Sequence, residues 1–217
     1  MQTAFSRTVI DVNRDPSGGS LYPGHATTEL CPTTTFDGEP LYQSGKLPDA
    51  DEIERRKARW FVPYHEALSA ELERIHRRHE QVVLFDAHSI RSSVPRLFEG
   101  MLPHWNIGTN GGASCAPELL AAVESVCDAT SFSRVTNGRF RGGWITREHG
   151  KPQAGVHAIQ MELACRSYLP EPIGRVDETN WPSPFDELYA EPILSAIGEV
   201  LRACVAFAAA YSRGALR

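Results

Sequence analysis

Apolar residues fall into a few dense runs separated by turn-rich stretches, and the spacing within each run predicts an element. "SRTVIDVN" groups Thr8, Val9, Ile10 and Val12, mostly β-branched, and predicts a short strand. "NRDPSGGSLYPG" ends it, opening an irregular stretch of about 35 residues, longer than most connections. Leu21, Tyr22, Leu30 and Phe36 predict that this stretch is ordered and packed. Residues 49–80 carry a helical pattern that starts with acids ("DADEIERRKARWF"), and Pro63 is expected to break or kink it. Beyond Pro63, Leu68, Leu72 and Ile75 share one face. His76 and His79 sit at the basic end of this helix, where the dipole favours cations.

"QVVLFDAHS" is a continuous apolar run and predicts a strand buried on both faces. "HWNIGTNGGASC" predicts a short strand and a Gly-rich turn. "APELLAAVESVCDA" predicts a helix with Ser114 or Cys115 near its cap. "SFSRVTNG" and "GGWITREHG" predict two strands joined by "NGRFRG". "GVHAIQMELACRSYL" predicts a strand with Val156, Ala158, Gln160 and Glu162 on one side and His157, Ile159, Met161 and Leu163 on the other. The chain closes on a helix containing Pro192. Strands alternating with helices imply an α/β fold, a mixed central sheet with helices on both faces, in a single domain over residues 1–217. Ligand sites of such sheets lie towards the carboxyl ends of the strands.

Composition narrows the function. Of 217 residues, 41% are hydrophobic and 23% charged, the range of globular proteins. The net charge is −5 with both signs interleaved, so no basic face for nucleic acid is expected and a small-molecule partner fits better. Glu199 and Arg202 interrupt the apolar run at residues 190–211, which predicts a docked core helix rather than a membrane span. The N-terminus has no apolar signal core. Five cysteines at wide spacing, without a CxxC, predict reduced thiols in a cytoplasmic protein.

Three polar points lie at strand ends: Asn13-Arg14, Asp86-x-His88-Ser89, and Glu162. A strand-end histidine suits a zinc ion, and Asp86 is placed to orient it. A glutamate on an apolar strand suits a general base beside an activated water. An arginine after a strand suits a substrate carboxylate. Each has a plainer alternative: a loop histidine, a Glu162–Arg166 pair, and a turn salt bridge from Arg14 to Asp11 or Asp15. Cys31 and Cys115 lie in loops, and Cys115 precedes a helix, which allows a Cys–His amidase, although a buried small residue is the simpler role for Cys115. No HExxH, HxH or GxSxG occurs.

The blocks "VIDVNRDPSGGSLYPG", "FDAHSIRSSVPRLFEG", "NIGTNGGASCAPEL" and "NGRFRGGWITREHGKPQAGVHAIQMELACRSYL" together resemble the N-formylglutamate amidohydrolase (deformylase) family, in order and over nearly the whole chain. The resemblance implies a zinc-dependent exopeptidase-like hydrolase that converts N-formyl-L-glutamate to formate and L-glutamate, late in histidine degradation. It implies His88 as a zinc ligand, Glu162 as the general base, and Asn13-Arg14 as the carboxylate-binding pair, with Arg139 a second cation for the substrate. Trp144 stands where relatives often carry tyrosine, and Gly24-His25 replaces a more usual Gly-Gln. The family's early segment with a further metal ligand has no counterpart here. That departure leaves His88 without partner ligands and keeps two alternatives in view: a non-catalytic relative that binds acidic amino acids, and a deacylase for another N-acyl acidic amino acid.

Overall fold

The computed structural model describes residues 1–214 except Pro23, His25, Ile173 and Arg175. Residues 49–76 begin as the acid-led pattern predicts. The Asp49 carboxylate accepts a hydrogen bond from the Glu52 amide (2.8 Å) and caps helix α1 (Ala50–Arg56). Pro63 has no N–H and its ring crowds the carbonyl four residues back. The helix accommodates this without breaking: it widens into a π-turn (Lys57–Phe61), where the Val62 amide reaches Lys57 O, and resumes as α2 (Val62–His76).

Four strands form one mixed sheet in the order β1-β4-β2-β3, with β1 Val82–Ile90, β2 Trp105–Gly108, β3 Arg134–Thr136 and β4 Val156–Ala164. β1 runs parallel to β4, β2 antiparallel to β4, and β3 parallel to β2. The alternation expected of β4 is present. Ile159, Met161 and Leu163 pack with Trp105 and Ile107 against α3 (Pro117–Asp128) and α5 (Glu187–Gly214). Val82, Leu84 and Val156 face the opposite core, with Leu68, Leu72 and Phe61 of the first helical unit. Helices therefore cover both faces. His157 points away from Glu162, accepting from the Ala116 amide at Nδ1 and bonding Gln81 Oε1 through Nε2.

Four expectations are corrected. "SRTVIDVN" is a set of turns, not a strand. Ile10 and Val12 are buried, but the Asp11 carboxylate takes the Asn13 amide (3.0 Å) and Asp11 O takes the Arg14 amide, so the backbone is closed locally. "GGWITREHG" is helix α4 (Trp144–His149), because the Asn13 side chain caps the Ile145 amide and packing overrides the β-propensity of Trp-Ile-Thr. "QVVLFDAHS" is the edge strand, partly exposed along its length, and β4 occupies the buried centre. The cap of α3 is Ala116 rather than Ser114 or Cys115.

α5 buries Ala190, Ile193, Ala196, Val200 and Cys204 against the sheet and α3, as a docked helix does. Leu188, Leu201 and Val205 on its other side are exposed. By length and composition alone residues 187–210 would also suffice to cross a membrane.

Candidate active site

Parallel register decides which polar residues meet. His88 stands beside Glu162 and Asp86 beside Gln160, so two strands place four polar side chains on one sheet face. The N-terminal turns lay Asn13 across them. Its Oδ1 accepts from the Ile145 amide (2.8 Å), and its Nδ2 donates to Asp86 Oδ2 (3.3 Å) and lies 2.9 Å from His88 Nε2. Thr146 Oγ1 donates to the same Asp86 oxygen (3.4 Å). Gly143 allows this approach: a Cβ there would stand 2.3 Å from Asn13 Oδ1.

His88 Nε2 is 2.7 Å from Asp86 Oδ1. Burial alone would lower the imidazole pKa, but the Asp86 charge and hydrogen bond, with Glu162 beyond, lift it to about 9. With a proton on Nε2, that nitrogen donates to Asp86, and the Asn13 amide is held in place by Asp86 and Ile145 instead. Glu162 is buried and its carboxylate accepts from Gln160 Nε2 (3.4 Å). Burial raises its pKa, against the pull of His88 and Arg7. Gln160 Oε1 is held by the Gly143 amide (2.7 Å).

Three arginines line the same pocket as this acid. Arg14 donates to Thr28 O and Thr28 Oγ1 and lies 3.7 Å from Asp11, so the turn salt bridge weighed for it is present but long. Arg139 donates to Leu97 O and Ala26 O between the Tyr22 and Phe140 rings, with no carboxylate among those contacts. Burial lowers its pKa, and Arg14 adds to this. Arg7, paired with Asp11 at 2.9 Å, is the third. Arg166, the alternative partner for Glu162, donates to Leu102 O instead.

One pocket is lined by Asn13, Arg14, His88, Arg139 and Glu162 together. The expected site residues therefore converge, though Asn13 has both ends of its amide engaged by protein. Sequence reasoning missed Arg7, Gln160 and Tyr22, which line the same pocket. Gln160 was visible as the second polar residue on the Glu162 side of β4, whereas Tyr22 signalled only packing of its loop and Arg7 nothing. His25 lies outside the described residues. Trp144 packs in the α2-side core. The thiol reading loses its basis: burial raises the Cys31 pKa and pushes that of Cys115 up to about 11.

The donor set does not fit a metal ion as it stands. No group of three or more His, Cys, Asp or Glu side chains arranged to hold one occurs among the described residues, and His88 Nε2 is already engaged by Asp86.

The family model described as N-formylglutamate amidohydrolase matches residues 1–169. An N-formylglutamate deformylase of Pseudomonas aeruginosa is 50% identical over 168 residues, 77% of this chain and 63% of its own length. One from Pseudomonas putida is 43% identical over 206 residues, 94% of this chain and 74% of its own. The chain thus spans less than two thirds of the first relative. Among solved structures, N-formylglutamate amidohydrolase from Ralstonia eutropha JMP134 superposes with a TM-score of 0.70 at 22% identity, over 98% of this chain and 76% of that one. A gene product of Agrobacterium tumefaciens superposes with a TM-score of 0.60 at 18% identity, over 94% and 69%.

Proposed function

The chain belongs to the N-formylglutamate amidohydrolase family, and we propose that it hydrolyses N-formyl-L-glutamate to formate and L-glutamate. The observation that carries this reading is the pairing, in one pocket, of a buried carboxyl with raised pKa and three arginines. A glutamate derivative brings two carboxylates and an amide, which match cations and a base. In this reading Arg14 and Arg139 hold the carboxylates. Glu162 takes a proton from water as the oxygen bonds to the formyl carbon, then passes it to the leaving nitrogen as the C–N bond breaks. A base with elevated pKa is better suited to that return than an ordinary carboxylate.

Zinc remains a proposal resting on the resemblance, with His88 its one assigned ligand. The described residues bring together no set of three such ligands, so no step is routed through it here. The resemblance is also what supports a place in histidine degradation, while the widely spaced cysteines without a CxxC support a cytoplasmic location. The test is formate release from N-formyl-L-glutamate, before and after chelation and with zinc restored. Turnover that Glu162→Gln lowers by about 10²–10⁴ supports the reading. Turnover unaffected by exhaustive chelation would remove the metal from it.

A second reading is favoured by the same short donor set: a non-catalytic relative that binds acidic amino acids. Glutamate binding without formate release, with or without zinc, selects it. Release from other N-acyl aspartates or glutamates in preference to the formyl compound selects the deacylase alternative.

A further inference from the structure

Behind the pocket, two histidines join two helices to the segment that carries Asn13. His65, in the first turn of α2, places Nε2 2.9 Å from Val12 O. A carbonyl only accepts, so Nε2 bears the proton and Nδ1 of the neutral ring is a bare acceptor. His149 Nε2 lies 3.1 Å from that Nδ1 and must therefore be the donor. The rings are 5.4 Å apart and within 8° of parallel. Burial favours the neutral form of both, and the charges acting on the pair are Glu148, Asp86 and Lys151.

The pair acts on a defined point. Val12 is followed by Asn13, whose carbonyl accepts from the Trp144 amide (3.3 Å) and whose Oδ1 accepts from the Ile145 amide (2.8 Å). Trp144 and Ile145 begin α4, and His149 ends it. One six-residue helix thus holds two successive residues of the N-terminal turn: Asn13 directly, and Val12 through His149 and His65. Simple core filling would need no donor here, whereas this arrangement supplies one to a carbonyl and a second to its supporting ring.

We propose that His65 and His149 are positioning residues, a relay that locks the Val12–Asn13 backbone and so aims the Asn13 amide at Asp86 and His88. The proposal rests on the reading of the pocket as a hydrolytic site.

The test compares four variants of the full chain. His65→Leu and His149→Leu remove the relay while keeping apolar bulk. His65→Gln keeps a donor towards Val12 O, and His149→Gln keeps one towards His65 Nδ1. The expected result is a fall in kcat of about tenfold to a hundredfold in the leucine variants, with KM changed little and kcat largely restored by glutamine. Nitrogen-15 NMR at neutral pH should show both rings as neutral Nε2–H tautomers. The Asn13 side-chain amide resonances should move in the leucine variants and return with glutamine. Leucine variants with wild-type kcat and unmoved Asn13 resonances overturn the proposal, as does a loss that glutamine does not restore in chains that remain folded. If the wild type releases no formate, the proposed function fails, and the Asn13 and imidazole resonances alone decide the relay: moved and restored supports it, unmoved overturns it.

Discussion

Arg139 shows how a side chain's surroundings define its role. Its hydrogen bonds go to carbonyl oxygens and its flanks to aromatic rings, so its charge remains available to the pocket. Replacing it with leucine should raise KM for N-formyl-L-glutamate about tenfold to a hundredfold, the range for a lost hydrogen bond to a charge of about 1.5–3 kcal/mol. Steady-state kinetics checks this, and an unchanged KM would place the substrate elsewhere. His149 sets a pH dependence. Burial, with His65 and Lys151, lowers its pKa to about 4, against about 6.5 in an unfolded chain. Between those values the unfolded chain binds more protons, so this group costs stability as pH falls from about 6.5 to about 4, and adds nothing further below. The loss approaches about 3 kcal/mol. Urea midpoints across this range should fall in the wild type and fall less in His149→Gln.

Among the helices, α4 holds Asn13 and Asp86 in place, and the glycine before it is its tightest point. An alanine Cβ at 143 would meet Asn13 atoms at 2.3–2.5 Å. Gly143→Ala should therefore displace Asn13, destabilise the fold by about 1–3 kcal/mol as overpacking does, and abolish most turnover. Gly45→Ala is the control: its φ of +73° is strained for alanine, but nothing lies within 4 Å, so a cost of about 1–2 kcal/mol without loss of turnover is expected. Melting curves and formate assays separate the two. Equal effects would mean that the crowding at 143 is relieved without moving Asn13.

For the molecule as a whole, the sheet ends on an open side. Val82 N bonds Gly155 O, so even-numbered β1 residues face β4, while the amides of Val83, Phe85, Ala87 and Ser89 face outward, without a partner among the described residues. Hydrogen exchange should be at least about tenfold faster at those four than at Leu84, Asp86 and His88. Uniform protection would show that a second chain or segment covers the edge. Asp86 and His88 of the pocket lie on this same strand, so part of the site is carried by a sheet edge whose outward amides are unpaired among the described residues.

Sequence by itself determined the long helices, the alternation of β4, and the residue types at the pocket. Those features follow from short-range periodicity and from a carboxylate on an otherwise apolar strand. The family blocks single out Asn13, Arg14, His88, Arg139 and Glu162, and these residues line one pocket. Tertiary structure decided the rest. Trp-Ile-Thr became helical because a side chain 132 residues away caps its amide. Ile10 and Val12 were buried without a strand because Asp11 closes the backbone on itself. β1 went to the edge because strand order depends on pairing, which a strand's own residues do not encode. The His65–His149 relay was invisible for the same reason. Neither histidine belongs to a compact motif, and only the packing of α4 on α2 makes one the other's hydrogen-bond partner.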